Sequence, residues 1–235
     1  MNWRPLIPNS LTSTNLIMGV CSMMFSMKGD IFWGAVCILL ALVADGLDGR
    51  TARALGVSGE MGKELDSLCD LVSFGVAPGI LAHQFVLVDY GYVGWFVPLL
   101  FAVCGCFRLA RFNVMAAEVH GYFMGVAIPA GACFIATSTL LLLGMGFDPH
   151  ELGYVYPIVM SVIGLLMVST IHYPDFKGAG EKIYLPAKVF AAVMFASIVY
   201  IGREAIVPAV LFAIFATYDV FGIVNTICGS VSGDK

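Results

Sequence analysis

Charged residues are scarce in this sequence. Only 12 of its 235 residues are Lys or Arg and 16 are Asp or Glu, whereas about a quarter of a soluble domain is charged. The shortage excludes an ordinary soluble domain or a disordered chain, and a net charge of −4 provides no basic surface for nucleic acid. Hydrophobic residues make up 60% of the chain, and the mean hydropathy is +0.91. This composition is typical of a helical protein that crosses a membrane several times.

Two other kinds of pattern are missing. The sequence has seven cysteines but no Cys-x-x-Cys pair and no Cys/His cluster with zinc spacing, so we expect free thiols that serve as small packing residues. The alternating ten-residue pattern of an outer-membrane barrel is also absent, because the apolar runs are long and continuous.

Eight apolar runs are long enough to be membrane spans of about 20 residues. They are Leu11–Met27, Ile31–Arg53, Leu65–Leu87, Val93–Arg111, Phe123–Gly144, Tyr154–Ile171, Leu185–Ile201 and Ile206–Cys228. We therefore predict one all-α integral membrane domain over residues 1–235, a polytopic bundle of about eight transmembrane helices. Placing the N-terminus inside leaves only Lys28 and Arg203 among the basic residues in outer loops. The positive-inside rule then predicts an inner, cytoplasmic membrane protein with both termini in the cytoplasm.

Four aspartates interrupt the second and third runs at or within membrane depth: Asp45, Asp48, Asp66 and Asp70. One ionised carboxylate at a helix centre costs about 2.5–3.5 kcal/mol, so four of them require compensating positive charge. The spacings i,i+3 and i,i+4 place each pair on one helix face, and a short connection makes the two helices antiparallel neighbours. Converging carboxylates suit two Mg²⁺ or Mn²⁺ ions, which in turn would bind a diphosphate.

Small residues share the helix faces of these acids: Gly49, Ala52 and Gly62. They leave room for a ligand to approach the helix backbone, and Arg53 could reach past the carboxylates to a phosphate. A salt-bridged helix hairpin, in which Arg50, Arg53 and Lys63 neutralise the acids, is the alternative. It does not account for the small residues.

The motif over residues 45–70 carries a resemblance. Asp45-x2-Asp48-Gly49-x2-Ala52-Arg53-x8-Gly62-x3-Asp66-x3-Asp70 resembles the full signature of the CDP-alcohol phosphotransferase family, with all eight positions matched. The resemblance implies a six-helix core, here with two extra C-terminal spans, a homodimer, and a cytoplasmic two-metal site for displacing CMP from a CDP-linked lipid. It also implies site residues: Asp45, Asp48, Asp66 and Asp70 as metal ligands, Asp70 as general base, and Asp48, Gly49, Ala52, Arg53 and Gly62 as the CDP site.

Three other stretches are similar to the bacterial serine-accepting members of that family: IPNSLTSTNLIMGV, ELDSLCDLVSFGVAP and CGCFRLARFNV. This similarity implies transfer of a phosphatidyl group from CDP-diacylglycerol to the hydroxyl of L-serine, giving phosphatidylserine and CMP. Glycerol 3-phosphate is the main alternative acceptor, as in a phosphatidylglycerophosphate synthase. An intramembrane prenyltransferase and a cation-coupled transporter fit less well, because the acids lie in one block near the inner face.

Further polar residues are weaker candidates. Arg108 and Arg111, beside Asn113, could hold the carboxylate of serine, although they could equally be positive-inside anchors. Asn15 is predicted either to line the CDP pocket or to bond between helices. Asp219 lies inside the last span but outside the motif, so its role stays open.

Overall fold

The structure is a computed structural model that describes residues 6–57, 59–115, 122–174 and 183–232. These residues form nine α-helices and two three-residue strands. The helices are Leu6–Met27 (α1), Ile31–Leu55 (α2), Glu60–Asp70 (α3), Ala77–Phe85 (α4), Gly91–Met115 (α5), Ile128–Gly144 (α6), Val155–Val168 (α7), Leu185–Ile201 (α8) and Ile206–Ser232 (α9), and the strands are Tyr122–Met124 (β1) and His172–Pro174 (β2). The predicted orientation depends in part on basic residues that lie outside the described residues: Arg4, Lys177, Lys182 and Lys235.

Among the described residues, four continuous helical segments are long and apolar enough to cross a membrane: Ile31–Leu55, Glu60–Phe85, Leu87–Met115 and Arg203–Ser230. Three apolar helices are shorter, with 17 residues in α6, 14 in α7 and 17 in α8. The predicted helical membrane bundle is confirmed at this level, and the number of eight spans stays a prediction.

The packing of the bundle is that of a protein surrounded by lipid. Large apolar side chains point outward, and Trp95, Phe107 and Val193 are each at least 60% exposed. Small residues fill the contacts between helices, including Ala35 and Ala41 of α2, both fully buried. In a membrane, helix association depends on close backbone approach at small residues, because lipid already solvates the large ones. All seven cysteines are free thiols, as predicted.

Two three-residue strands accompany the all-α bundle, and they correct the limits of the fifth and sixth predicted spans. β1 and β2 pair antiparallel, with Phe123 opposite Tyr173, so the segment from Phe123 is a strand and α6 begins only at Ile128. Gly125 has φ +73°, which a helix does not permit, and Pro129 occupies the first turn of α6. α7 ends at Val168 because Ser169 is extended.

The segment after Asp70 is a π-helix, Leu71–Val76, that joins α3 to α4 without a break. The amide of Ala77 bonds to the carbonyl of Val72, five residues earlier. The extra residue per turn shifts the faces of α4 relative to those of α3. Single π-helical turns occur often at functional sites, and this one begins directly after the last aspartate of the motif.

Candidate active site

Three of the four motif aspartates meet at one place. One carboxylate oxygen from each of Asp45, Asp48 and Asp66 lies within 4.8 Å of the others. α2 supplies two of these acids and α3 the third. α2 ends at Leu55 and α3 begins at Glu60, so the two helices are close in sequence, and Gly56 directly after α2 has φ +65°. Three oxygen donors at this separation are compatible with a divalent cation site.

Asp70 lies beside this cluster. Its carboxylate is within hydrogen-bonding reach of Asp45, and its Oδ1 accepts a hydrogen bond of 2.9 Å from Nδ2 of Asn15 in α1. Asp70 is 7% exposed and Asn15 is fully buried. All four aspartates of the motif are therefore neighbours, with Asp70 on the side that faces α1.

No positive side chain neutralises these acids within the described residues. The structure places no Lys, Arg or His nitrogen of that part of the chain within 4.0 Å of the four carboxylates. Oδ2 of Asp48 and Oδ1 of Asp66 are buried and have no hydrogen-bond partner in the part of the chain that the structure describes. Such unpaired buried oxygens cost free energy unless a cation or proton binds them. The salt-bridged hairpin is therefore contradicted, and the donor set fits a metal site.

A cavity of about 200 Å³ opens beside Asp48 and Asp66. Its lining includes the predicted Gly49, Ala52, Arg53 and Gly62, together with Pro8, Asn9, Thr12, Val57, Gly59 and Lys63. A side chain on Gly62 would project into open space, so the glycine keeps the cavity wide. A lining that combines carboxylates with the cationic Arg53 and Lys63 suits an anionic ligand that also carries a metal ion.

Sequence reasoning missed the contributions of Asn9 and Lys63 to this cavity. The start of α1 precedes its apolar run and carries only isolated polar residues, so no spacing signal marks Asn9. Lys63 was considered only as a counter-charge for the acids. The structure also places Asn15 outside the cavity lining and against Asp70, which favours the bond between helices over the pocket.

The three residues predicted for the acceptor are close in sequence but differ in their surroundings. Arg111 donates hydrogen bonds of 2.8, 2.9 and 3.0 Å to the backbone carbonyls of Val168, Met124 and Met167. It thereby joins the end of α5 to the last turn of α7 and to β1. Such bonds satisfy carbonyls that the helix end leaves free, so the contacts of Arg111 favour a structural role.

Arg108 is in a different situation, because it is buried and makes no ion pair within the described part of the chain. Its guanidinium lies over the ring of Phe112, 5.2 Å from the centroid, and is near enough to Asp70 and Tyr218 to interact with them electrostatically. Asn113 exchanges hydrogen bonds of 3.0 and 3.3 Å with Ser67, the residue after Asp66. Arg108 therefore retains free donors near the aspartates, whereas Asn113 is already paired.

Asp219 is outside the aspartate motif and belongs to α9. It is 2% exposed, and neither carboxylate oxygen has a hydrogen-bond partner among the described residues. Its backbone carbonyl accepts a 2.7 Å hydrogen bond from the hydroxyl of Tyr173. The ring of Tyr173 lies against Gly222, where any side chain would overlap it.

The arrangement of four aspartates and a basic-walled cavity agrees with comparisons to known proteins. The chain is 32% identical over 223 residues to the CDP-diacylglycerol–serine O-phosphatidyltransferase of Helicobacter pylori, covering 94% of this chain and 90% of that protein. It is 34% identical over 172 residues to the Bacillus subtilis protein of the same name, covering 73% and 91%. It is 36% identical over 179 residues to an archaetidylserine synthase of Methanothermobacter thermautotrophicus, covering 75% and 72%.

The family model described as CDP-alcohol phosphatidyltransferase matches residues 5–171, from just before α1 to just beyond α7. The match contains the whole aspartate motif and every lining residue of the cavity. It leaves α8 and α9 outside, although the alignment with the Helicobacter protein extends over most of the chain. The family predicted from residues 45–70 is confirmed: this chain is an enzyme of the CDP-alcohol phosphatidyltransferase family.

Proposed function

We propose that this protein transfers the phosphatidyl group of CDP-diacylglycerol to the hydroxyl of L-serine, giving phosphatidylserine and CMP. The observation that carries the proposal is a cavity lined by Arg53 and Lys63 together with Asp48 and Asp66, two acids that each have a buried oxygen without a partner among the described residues. A CDP-linked lipid has the matching chemistry, a diphosphate that needs both cationic side chains and metal ions. Serine as the acceptor is supported by the names of the relatives in Helicobacter and Bacillus.

In this proposal, Asp45, Asp48, Asp66 and Asp70 hold two divalent cations, Mg²⁺ or Mn²⁺. When bound, the ions supply positive charge to the diphosphate and stabilise the departing CMP. The cationic Arg53 and Lys63 of the cavity lining bind the diphosphate. Gly49, Ala52 and Gly62 leave room for the nucleotide beside the helix backbones.

The chemical step is a substitution at phosphorus. Asp70 accepts the proton of the serine hydroxyl, and the serine oxygen forms a bond to the phosphorus that carries diacylglycerol. The bond from that phosphorus to the bridging oxygen breaks, and CMP leaves with the electron pair. Arg108, buried near Asp70 with free donors, binds the carboxylate of serine.

The experiment is a comparison of acceptors. Detergent-solubilised protein receives CDP-diacylglycerol with Mg²⁺ or Mn²⁺, and CMP release is measured with serine, glycerol 3-phosphate, inositol phosphate or no acceptor. We expect release that depends on serine and on the metal. Release only with glycerol 3-phosphate or inositol phosphate would contradict serine as the acceptor. Release with no acceptor from folded protein would indicate hydrolysis instead of transfer.

We further propose that the chain forms a homodimer in an inner, cytoplasmic membrane, with both termini and the active site on the cytoplasmic side. The excess of basic residues in the predicted inner loops supports this orientation. Reporter fusions that are active only in the cytoplasm are expected to be active at either terminus. A fusion at Gly146, which lies in the predicted outer connection between α6 and α7, is the matched negative control.

A further inference from the structure

Asn15 occupies an unusual position between α1 and the last aspartate of the motif. Its Nδ2 donates a hydrogen bond of 2.9 Å to Oδ1 of Asp70, and Asn15 is fully buried. A carboxylate oxygen accepts this bond through a lone pair, so chemistry requires the amide nitrogen to face Asp70. The amide of Asn15 therefore occupies Oδ1 of Asp70.

The backbone of Asn15 is held by the same region. The hydroxyl of Ser73, in the π-helical turn after Asp70, donates a 2.9 Å hydrogen bond to the Asn15 carbonyl. Gly19, one turn further along α1, is so close to Ser73 that any side chain there would overlap it. Two bonds and one close contact thus join α1 to the segment that carries Asp70. Asn15 has little freedom to move relative to that carboxylate.

The amide oxygen of Asn15 is the unusual part of this arrangement. Oδ1 is buried and has no hydrogen-bond partner among the described residues. A buried acceptor without a donor costs free energy, so its position beside Asp70 points to a donor that comes with the substrate. Asn15 lies outside the lining of the cavity with Arg53 and Lys63 and against Asp70, so the group that reacts at Asp70 is the candidate donor.

The hydrogen-bond donors of the substrate identify the group that would bind the amide oxygen of Asn15. If the acceptor is serine, its hydroxyl has one hydrogen, which passes to Asp70 in the proposed reaction. The donors that remain on serine are the N–H groups of its ammonium. We propose that Asn15 is part of the acceptor site: its amide nitrogen orients Asp70, and its amide oxygen accepts a hydrogen bond from the ammonium of serine. This inference rests on the proposed function.

Two variants separate the two ends of the amide. Asn15→Leu, of similar size, removes both polar atoms, and we expect kcat to fall about 10- to 100-fold and the KM for serine to rise. Asn15→Asp removes the N–H donor but keeps an acceptor oxygen, so we expect kcat to fall with a smaller change in the KM for serine. The KM for CDP-diacylglycerol is expected to stay within about twofold in both variants. A residue with only a structural role would not change kcat and the KM for serine while leaving the KM for CDP-diacylglycerol unchanged.

Ser22→Ala is the matched control, because Ser22 is a buried polar residue of the same helix, two turns away, and touches neither Asp70 nor the cavity. It is expected to retain wild-type kcat and both KM values. A second readout is independent of turnover. Serine is expected to raise the melting temperature of the wild type and of Ser22→Ala, and to raise that of Asn15→Leu much less.

Three results would overturn the inference. A rise in the KM for CDP-diacylglycerol alone would place Asn15 in the nucleotide pocket. Unchanged kcat and serine KM in folded Asn15→Leu would show that Asp70 needs no such partner. An equal serine-induced stabilisation of both proteins would exclude contact with serine. If Asn15→Leu does not fold, the isosteric Asn15→Asp decides through kcat. Failure of the proposed function would give a different result from these three, because the wild type itself would then use an acceptor other than serine.

Discussion

Buried acids occur in two regions of this molecule, and their surroundings differ. In the first region, Asp45, Asp48 and Asp66 converge from two helices, Asp70 lies beside them, and a cavity opens next to the group. In the second, Asp219 is a single acid of α9 that is 2% exposed, and its carboxylate has no hydrogen-bond partner among the described residues. None of the described cavities includes Asp219 in its lining.

The comparison teaches that burial of an acid in a membrane helix does not identify an active site by itself. Both regions carry the free-energy cost of an unpaired polar group. Only the first combines several oxygen donors with basic side chains and space for a ligand. Convergence and access, in addition to burial, distinguish the catalytic region from the solitary acid. Four experiments test this distinction, in order of decreasing expected effect.

The largest effect is expected for Asp70→Asn. The variant keeps size and polarity but cannot accept the proton, so we expect CMP release to fall by about 10²–10⁴-fold. Binding of a CDP nucleotide, measured by calorimetry, is expected to change much less, because the cavity lining does not include Asp70. Substantial activity in Asp70→Asn would contradict its assignment as the base and would weaken the contrast with Asp219.

A smaller loss with a different signature is expected for Asp48→Asn. Asp48 offers a buried unpaired oxygen to the cluster, and an amide is a poorer ligand for Mg²⁺ or Mn²⁺ than a carboxylate. We expect a higher Mn²⁺ concentration for half-maximal activity and partial recovery at saturating Mn²⁺. An unchanged Mn²⁺ dependence would show that Asp48 is not a metal ligand. Arg50→Gln, an exposed neighbour on α2 outside the cavity lining, is the control.

Arg108 and Arg111 are expected to differ although they are one helical turn apart. Arg108→Ala removes free donors near Asp70, so we expect about a tenfold or greater rise in the KM for serine. Arg111→Ala removes three bonds to backbone carbonyls, so we expect a lower melting temperature and an unchanged KM for serine in the folded fraction. Steady-state kinetics and thermal unfolding measure both. A higher KM for serine in Arg111→Ala and a lower melting temperature in Arg108→Ala would instead assign acceptor binding to Arg111 and the structural role to Arg108.

The smallest effect on activity is expected for Asp219→Leu. Asp219 is in the lining of none of the described cavities, so turnover is expected to stay within about twofold of the wild type. Removing a buried group without partners is expected to stabilise the protein by about 1–3 kcal/mol. Thr217→Val, which removes a neighbouring unpaired hydroxyl, is expected to stabilise it less. A loss of activity in well-folded Asp219→Leu would make the second region functional.

Much of this protein could be predicted from its sequence. The low charge and the long apolar runs indicated a helical membrane bundle because uncharged segments of this length are stable in lipid. The aspartate spacing indicated a shared site because helix geometry puts residues three and four apart on one face. The predicted Gly49, Ala52, Arg53 and Gly62 all line the observed cavity.

Local pattern could not reveal contacts between segments that are distant in the chain. The start of the fifth predicted span was wrong because Phe123 pairs with Tyr173 in a strand, 50 residues away. The bond from Asn15 to Asp70 joins residues 55 positions apart, and neither residue carries a local sign of the other. Arg108 and Arg111 look alike in sequence and differ only in which carbonyls come near them.

The sequence by itself determined that this protein lies in a membrane and that its second and third spans share an acidic site. It also determined the family to which the enzyme belongs. Hydrophobicity and helical periodicity are properties of each segment, and they act before the segments meet. The tertiary structure alone decided which oxygen of Asp70 accepts a hydrogen bond from Asn15 and which basic residues line the cavity. It also decided that Asp219 has no partner among the described residues. Those outcomes depend on how helices pack, and packing is decided by contacts that no single segment contains.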